Sequence, residues 1–133
     1  MVYITRREHF NAAHKISCSH WSDEKNKANF GKCANENWHG HNYDLWVTVK
    51  GTPNPDSGFI INSQILSKII KEVVTDKIDH RNLNLDVDLG GIQPSTENMA
   101  IWIWNQLKPH INEGELHCVK LQETENIYVE YFG

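Results

Sequence analysis

The stretch 42–52 alternates without a break: Tyr43, Leu45, Val47 and Val49 oppose Asp44, Trp46, Thr48 and Lys50. A period of two held this long predicts a strand with one face in a core. Extended back toward His39, the same period puts His39, His41 and Tyr43 on one side. Just ahead stand Gly31, Lys32 and Cys33, so a thiol and two imidazoles gather at the mouth of a strand. Two neutral imidazoles at i and i+2 suit a divalent cation, of which zinc is the commonest. Gly40 between them leaves room for something to approach. The bland alternative is a His-x-His pair that arises by chance and does nothing.

Residues 2–16 read as a long strand with Phe10, Ala12 and His14 on one face. His14, beside small Ala12, is the third candidate ligand, although a strand histidine is more often a structural residue. Residues 17–32 are polar and aperiodic, a long loop that is functional or mobile by its length. Lys15, Lys25, Lys27 and Lys32 make this region basic against Asp23 and Glu24, which fits a solvated loop or a partial clamp for an anion. A turn at 53–58 leads to Asn62, which caps a helix over 63–77 carrying Ile65, Leu66, Ile69, Ile70, Val73 and Val74 in i, i+4 rows. A second helix begins at Ser95 or Thr96, has Glu97 in its first turn and ends at Pro109. Stretches 115–123 and 127–132 form a final hairpin, in which Glu123 shares a face with Val119 and Leu121. A carboxylate in that row is costly if buried without a partner, and costs nothing if it ends the strand in water.

The order is ββααββ, an α+β layer of four antiparallel strands with two helices on one face. Its outer strands are open edges that association into a closed ring would cover. At 133 residues the chain is expected to be one domain, 1–133. A net charge of -4 argues against a nucleic-acid partner, and no apolar run is long enough for a membrane span. The N-terminus reads as the first strand rather than a signal segment. Three cysteines, an odd number without an export signal, favour a reduced, cytoplasmic setting over a disulfide framework.

Three histidines with no obvious fourth protein ligand describe a catalytic metal site with an open position. Cys33 would act there as base or nucleophile if a cation lowered its pKa; the rival reading makes it the fourth ligand of a closed structural site. His80 could set the protonation state of the thiol and Asp79 could orient His80, although adjacent strand residues point opposite ways and direct pairing needs a bent backbone.

Phe10 to His14, Gly31 to Cys33, His39 to Tyr43, Asp79 to Leu83, Pro94 to Asn98, and Glu123-Thr124 together resemble the 6-pyruvoyltetrahydropterin synthase family, in order over nearly the whole chain. The resemblance implies the tunnelling fold (T-fold), in which trimers close a barrel and stack in pairs as a homohexamer with active sites at subunit junctions. By position, His14, His39 and His41 match the zinc ligands, Cys33 the proton-abstracting cysteine, and Asp79 and His80 the groups completing its relay. Glu123 matches the carboxylate that anchors the amino-pyrimidinone ring, and Ser95 and Thr96 match residues touching the pterin. The implied substrate is 7,8-dihydroneopterin triphosphate and the implied activity a zinc-dependent loss of triphosphate. A sister branch, 6-carboxytetrahydropterin synthase of the queuosine pathway, instead releases acetaldehyde; the third reading is a non-catalytic pterin- or metal-binding oligomer. Five residues between Cys33 and His39 resemble the pyruvoyl branch, whereas three typify the carboxy branch. Trp38 departs from the glycine common before the first histidine, and its ring is expected to narrow the side-chain pocket.

Overall fold

In the computed structural model, which describes residues 1–133, β1 (Val2–His14) and β2 (His39–Gly51) pair antiparallel over their full length. The register runs from Val2 opposite Gly51 to His14 opposite His39. Phe10, Ala12, Tyr43, Leu45, Val47 and Val49 all point into the core and are essentially inaccessible. β4 (Glu115–Thr124) lies antiparallel to β2, and β5 (Ile127–Tyr131) closes the hairpin at the far edge. The four expected strands are therefore present.

A fifth strand is an addition to that expectation. β3 (Arg81–Asn82) runs parallel to β1 on its free edge, giving the order β3-β1-β2-β4-β5. The backbone N–H of His80 donates to Asn11 O (2.6 Å) and that of Leu83 to Ala13 O (2.8 Å). Buried Ile78 and Leu83 pin the short segment from both sides.

Part of the expected loop 17–32 is helical. α1 (Asp23–Phe30) starts at the Ser22 cap, with Asp23 and Glu24 in its first turn, and passes into a 3-10 turn, Gly31–Ala34. It has no apolar stripe. Its one buried residue is Asn26, whose amide bonds Cys18 N and O, while Trp21 stacks on Phe30 at 5.6 Å. Capping and side-chain contacts hold it, which hydrophobic periodicity cannot reveal.

The first long helix is α2 (Ser63–Ile70), a π-helical stretch (Lys71–Thr75) and α3 (Asp76–Ile78) in succession. Leu66, Ile70, Val74 and Ile78 recur every fourth residue and are all fully buried. With 3.6 residues per turn, each such step drifts by roughly 40°. The wider π turn absorbs that drift and keeps all four on the sheet. α4 (Thr96–Leu107) packs Met99, Ala100, Ile103 and Leu107 against the same face, capped by Ser95 and followed by a 3-10 turn containing Pro109.

Glu8 faces the helices from β1. Burial alone would raise its pKa, but hydrogen bonds from Ser67 and Arg6 outweigh that and hold it below the ordinary value.

Leu45 sits at the centre of the core with no exposure. Leu45→Ala is expected to destabilise the fold by about 2–5 kcal/mol, read from the midpoint of urea unfolding.

Candidate metal centre and adjoining cavity

Directly opposed residues of an antiparallel pair point to the same side. The rows Phe10–Tyr43, Ala12–His41 and His14–His39 therefore stack along one face of β1 and β2. Phe10 and Tyr43 stack at 4.7 Å and close the core; one row further on, the small Ala12 leaves His41 free to lean toward His14. Ring centroids lie 4.4 Å apart for His14–His39, 5.0 Å for His14–His41 and 4.8 Å for His39–His41. Glu123 enters from β4 beyond the Asp44–Gln122 pair. One donor atom from each of His14, His39, His41 and Glu123 lies within 4.8 Å of the others.

The hydrogen bonds around this cluster set its chemistry. His14 Nδ1 lies 2.7 Å from the Pro94 carbonyl, which can only accept, so Nδ1 carries the proton and Nε2 is free. A backbone carbonyl behind a ligating imidazole is the usual way its orientation is fixed. The Tyr43 hydroxyl stands 3.4 Å from the same nitrogen. Three buried ring nitrogens, His14 Nε2, His39 Nδ1 and His41 Nε2, have no hydrogen-bond partner. Glu123 Oε1 approaches His41 Nε2 at 2.9 Å and His14 Nε2 at 3.3 Å, close contacts that lack hydrogen-bond alignment. Convergence without pairing is what a cation between them would explain.

Charge tells the same story. Burial, then repulsion from the neighbouring rings, pulls the His39 pKa below 6.5; burial likewise lowers that of His41 against the attraction of Glu123. His14 foremost, with Thr96 and His41, holds the Glu123 carboxyl at about 2 against the opposing effect of burial. Neutral imidazoles and an ionised carboxylate are the protonation states that a divalent metal needs. The residues fit such an ion, and the nitrogen-oxygen donor set suits zinc.

The group gathered with the three imidazoles is the Glu123 carboxylate, and Cys33 is not among them. Glu123 Oε2 accepts from Thr96 Oγ1 at 2.8 Å. Gly40 is not required by crowding, because a methyl there would meet only Ala12 O at 3.6 Å.

Cys33 lines a cavity of about 220 Å³ together with His14, Ser95, Thr96, Glu97 and Glu123. Burial and the Glu123 charge push its thiol pKa up. Ser95 spends its hydroxyl capping α4, accepting from Asn98 N, whereas Thr96 is the one directed at Glu123. Sequence reasoning took Glu97 only as a first-turn acid. It stands in this cavity and makes no hydrogen bond to the rest of the chain, and its place beside Ser95 and Thr96 was the available signal.

Asp79 and His80 line a different cavity, of about 380 Å³, with Asn11, Asn42 and Asp44. They pair directly, Asp79 Oδ1 to His80 Nδ1 at 3.0 Å, and the bend this needs is present, with His80 at φ 57°. The Asn11 N–H, donating at 2.8 Å, is the main cause of the lowered Asp79 pKa. Trp38 does not narrow the Cys33 cavity. It lines a third cavity, of about 680 Å³, with Lys15, Trp21 and Lys27.

An α+β layer in which β1, β2 and β4 gather three histidines and a carboxylate beside a cysteine-lined cavity defines the class of fold and site, a sheet carrying a candidate metal centre. The family model described as "6-pyruvoyl tetrahydropterin synthase" matches residues 3–133. The chain is 47% identical over 133 residues to 6-pyruvoyl tetrahydrobiopterin synthase of Dictyostelium discoideum, covering 99% of this chain and 96% of that one. It is 40% identical over 131 residues to the Homo sapiens protein of the same name, covering 98% and 90%. The solved structure of Caenorhabditis elegans 6-pyruvoyl tetrahydropterin synthase superposes with a TM-score of 0.93 at 37% identity, covering 99% of this chain and 95% of that one. The chain belongs to the 6-pyruvoyl tetrahydropterin synthase family.

Because the His39 and His41 pKa values lie below 6.5, proton competition for a bound cation sets in only below that pH. Zinc retention in equilibrium dialysis is expected to be level from pH 8 to about 6.5 and to fall in more acid buffer. A loss beginning near pH 8 would contradict the neutral-ring assignment.

Proposed function

We propose that the chain is a zinc-dependent lyase converting 7,8-dihydroneopterin triphosphate to 6-pyruvoyl-5,6,7,8-tetrahydropterin with loss of triphosphate. The observation that carries this reading is Cys33 in one cavity with His14 and Glu123, in a chain of this family. His14, His39 and His41 would hold the zinc, with Glu123 in reach. When bound, the ion would supply Lewis acidity toward the oxygens of the substrate side chain.

Cys33 is the proposed base for the carbon-bound proton. Its raised pKa means that it needs a cationic neighbour before it can act at neutral pH. The Asp79–His80 pair is proposed to complete the proton relay. Within one chain it lines a different cavity, which supports a relay assembled between copies of a homohexamer. Glu123 is the proposed ring anchor. Its engagement with two imidazoles favours Glu97 as the alternative, since a free carboxylate is better placed to accept from a 2-amino, 3-NH edge. Ser95 and Thr96 would flank the ring, Thr96 through Glu123. The five-residue gap from Cys33 to His39 supports the pyruvoyl rather than the carboxy product. No helix is long and apolar enough to cross a membrane, and the cytoplasm is the proposed compartment.

Mass analysis of products from dihydroneopterin triphosphate tests the assignment. A pyruvoyl tetrahydropterin with stoichiometric triphosphate is expected; acetaldehyde would move the chain to the carboxy branch, and no turnover by zinc-loaded protein would refute both. Cys33→Ala is expected to cut kcat by about 100-fold or more while zinc content stays unchanged.

The ring anchor is decided by KM. Glu123→Gln is expected to raise it about tenfold, the worth of one charged hydrogen bond. If Glu97→Gln alone does so, Glu97 is the anchor.

A further inference from the structure

Two residues other than glycine adopt the left-handed backbone region, Trp38 at φ 58° and His80 at φ 57°. The bend at His80 is accounted for by its contact with Asp79. Trp38 has no such contact, and a bulky aromatic side chain is among the least suited to that conformation. Such strain persists only where the surroundings over-determine it. The indole adds a second penalty, because its Nε1 is buried without a partner.

Both costs fall on the residue next to His39 and at the end of the segment that carries Cys33. That segment is bounded by two left-handed residues, Gly31 at φ 55° and Trp38. At Gly31, whose N–H caps α1 on Lys27 O, a Cβ would meet nothing within 4 Å, so no side chain packs against that end. Between them the chain makes two consecutive turns closed by long bonds, Asn35 N to Lys32 O (3.2 Å) and Trp38 N to Asn35 O (3.3 Å). A single short bond, Ile16 N to Cys33 O at 2.7 Å, ties the segment to the end of β1. The remaining anchor is the half-buried Trp38 side chain, whose Nε1 is inaccessible and which borders the cavity that Lys15 and Trp21 also line.

We propose that Trp38 is a positioning residue, a strained hinge locked by its own ring that fixes the Cys33 segment against the histidine cluster. The ring never enters the reacting cavity. It acts through the backbone, holding the end of the segment where β2 begins, opposite the end that Gly31 caps on α1. This rests on Cys33 as the reacting thiol, yet its first readout needs no substrate.

The test uses the full-length protein and its Trp38→Gly, Trp38→Ala and Trp38→Phe variants. Cys33 alkylation by iodoacetamide is followed by peptide mass mapping, zinc affinity by chelator competition, and kcat and KM with dihydroneopterin triphosphate. In Trp38→Gly, which relieves the backbone but removes the ring, alkylation of Cys33 is expected to quicken about tenfold and kcat to fall about tenfold. KM and zinc affinity should stay within about threefold, because the β1–β2 ladder holds His39 independently. Trp38→Phe should restore both rates to within about threefold of the parent, since the packed ring is the lock and its N–H is not used. A folded Trp38→Gly protein with alkylation and kcat unchanged would overturn the proposal, as would a Phe variant no better than Gly. If Trp38→Gly does not fold, Trp38→Ala against Trp38→Phe gives the same contrast. If the parent turns over no pterin, the functional reading fails while the alkylation contrast still decides the role of Trp38.

Discussion

The register between β1 and β2 is the constraint on which everything else rests. Thirteen residues of each strand pair without a bulge, from Val2–Gly51 to His14–His39. A slip by one residue would send every side chain of one strand to the other face. The slip is opposed by the core itself, because Phe10 and Tyr43 must stay stacked beneath the helices and Leu45, Val47 and Val49 must stay dry. The rows that follow Phe10–Tyr43 are Ala12–His41 and His14–His39. Hydrophobic burial thus places the imidazoles, and no separate device is needed to bring them together.

That placement creates an electrostatic problem which the site turns to use. His14 is 1% exposed, and burial works against charge on His39 and His41. Protonating the cluster is therefore costly, while leaving three ring nitrogens unpaired is costly as well. A dication relieves both penalties at once. Glu123 contributes the negative charge that a cluster of neutral rings lacks, and Thr96 keeps its second oxygen occupied. Val119 and Leu121 are fully buried in register with Val47 and Leu45, so the alternation of β4 carries Glu123 to the same face.

What was legible in the sequence was what periodicity encodes. Alternation put His39 and His41 on one face of β2 and His14 on a face of β1, and the apolar company of Glu123 left open a partnered carboxylate or one ending its strand in water; the β1–β2 register makes the three imidazoles share a face. The partners of Glu123 were not legible, because they depend on how far β4 runs past β2 and on where α4 begins. α1 escaped because Ser22, Asn26 and a Trp21–Phe30 stack hold it rather than an apolar stripe. β3 escaped because two residues are too few to show any period; only backbone bonds to Asn11 and Ala13 define it. The π turn is visible in retrospect as a four-residue spacing, Leu66 to Ile78, that a regular helix could not keep on one face. Glu97 was hidden by a sufficient local explanation, since an acid in a first turn asks for no other role.

The two strained residues bear on how the proposed relay is divided. Trp38 fixes the segment of Cys33, and His80 bends so that its ring meets Asp79. These two bends serve groups in separate cavities, and one is far more open than the other: the His80 side chain is 82% exposed while Cys33 is partly buried. His80 also directly precedes β3, the strand at the free edge of the sheet. The bend that pairs His80 with Asp79 leaves its ring facing outward beside that edge. The Asn11 backbone holds both members of the pair in that orientation, donating to Asp79 and accepting from the His80 N–H.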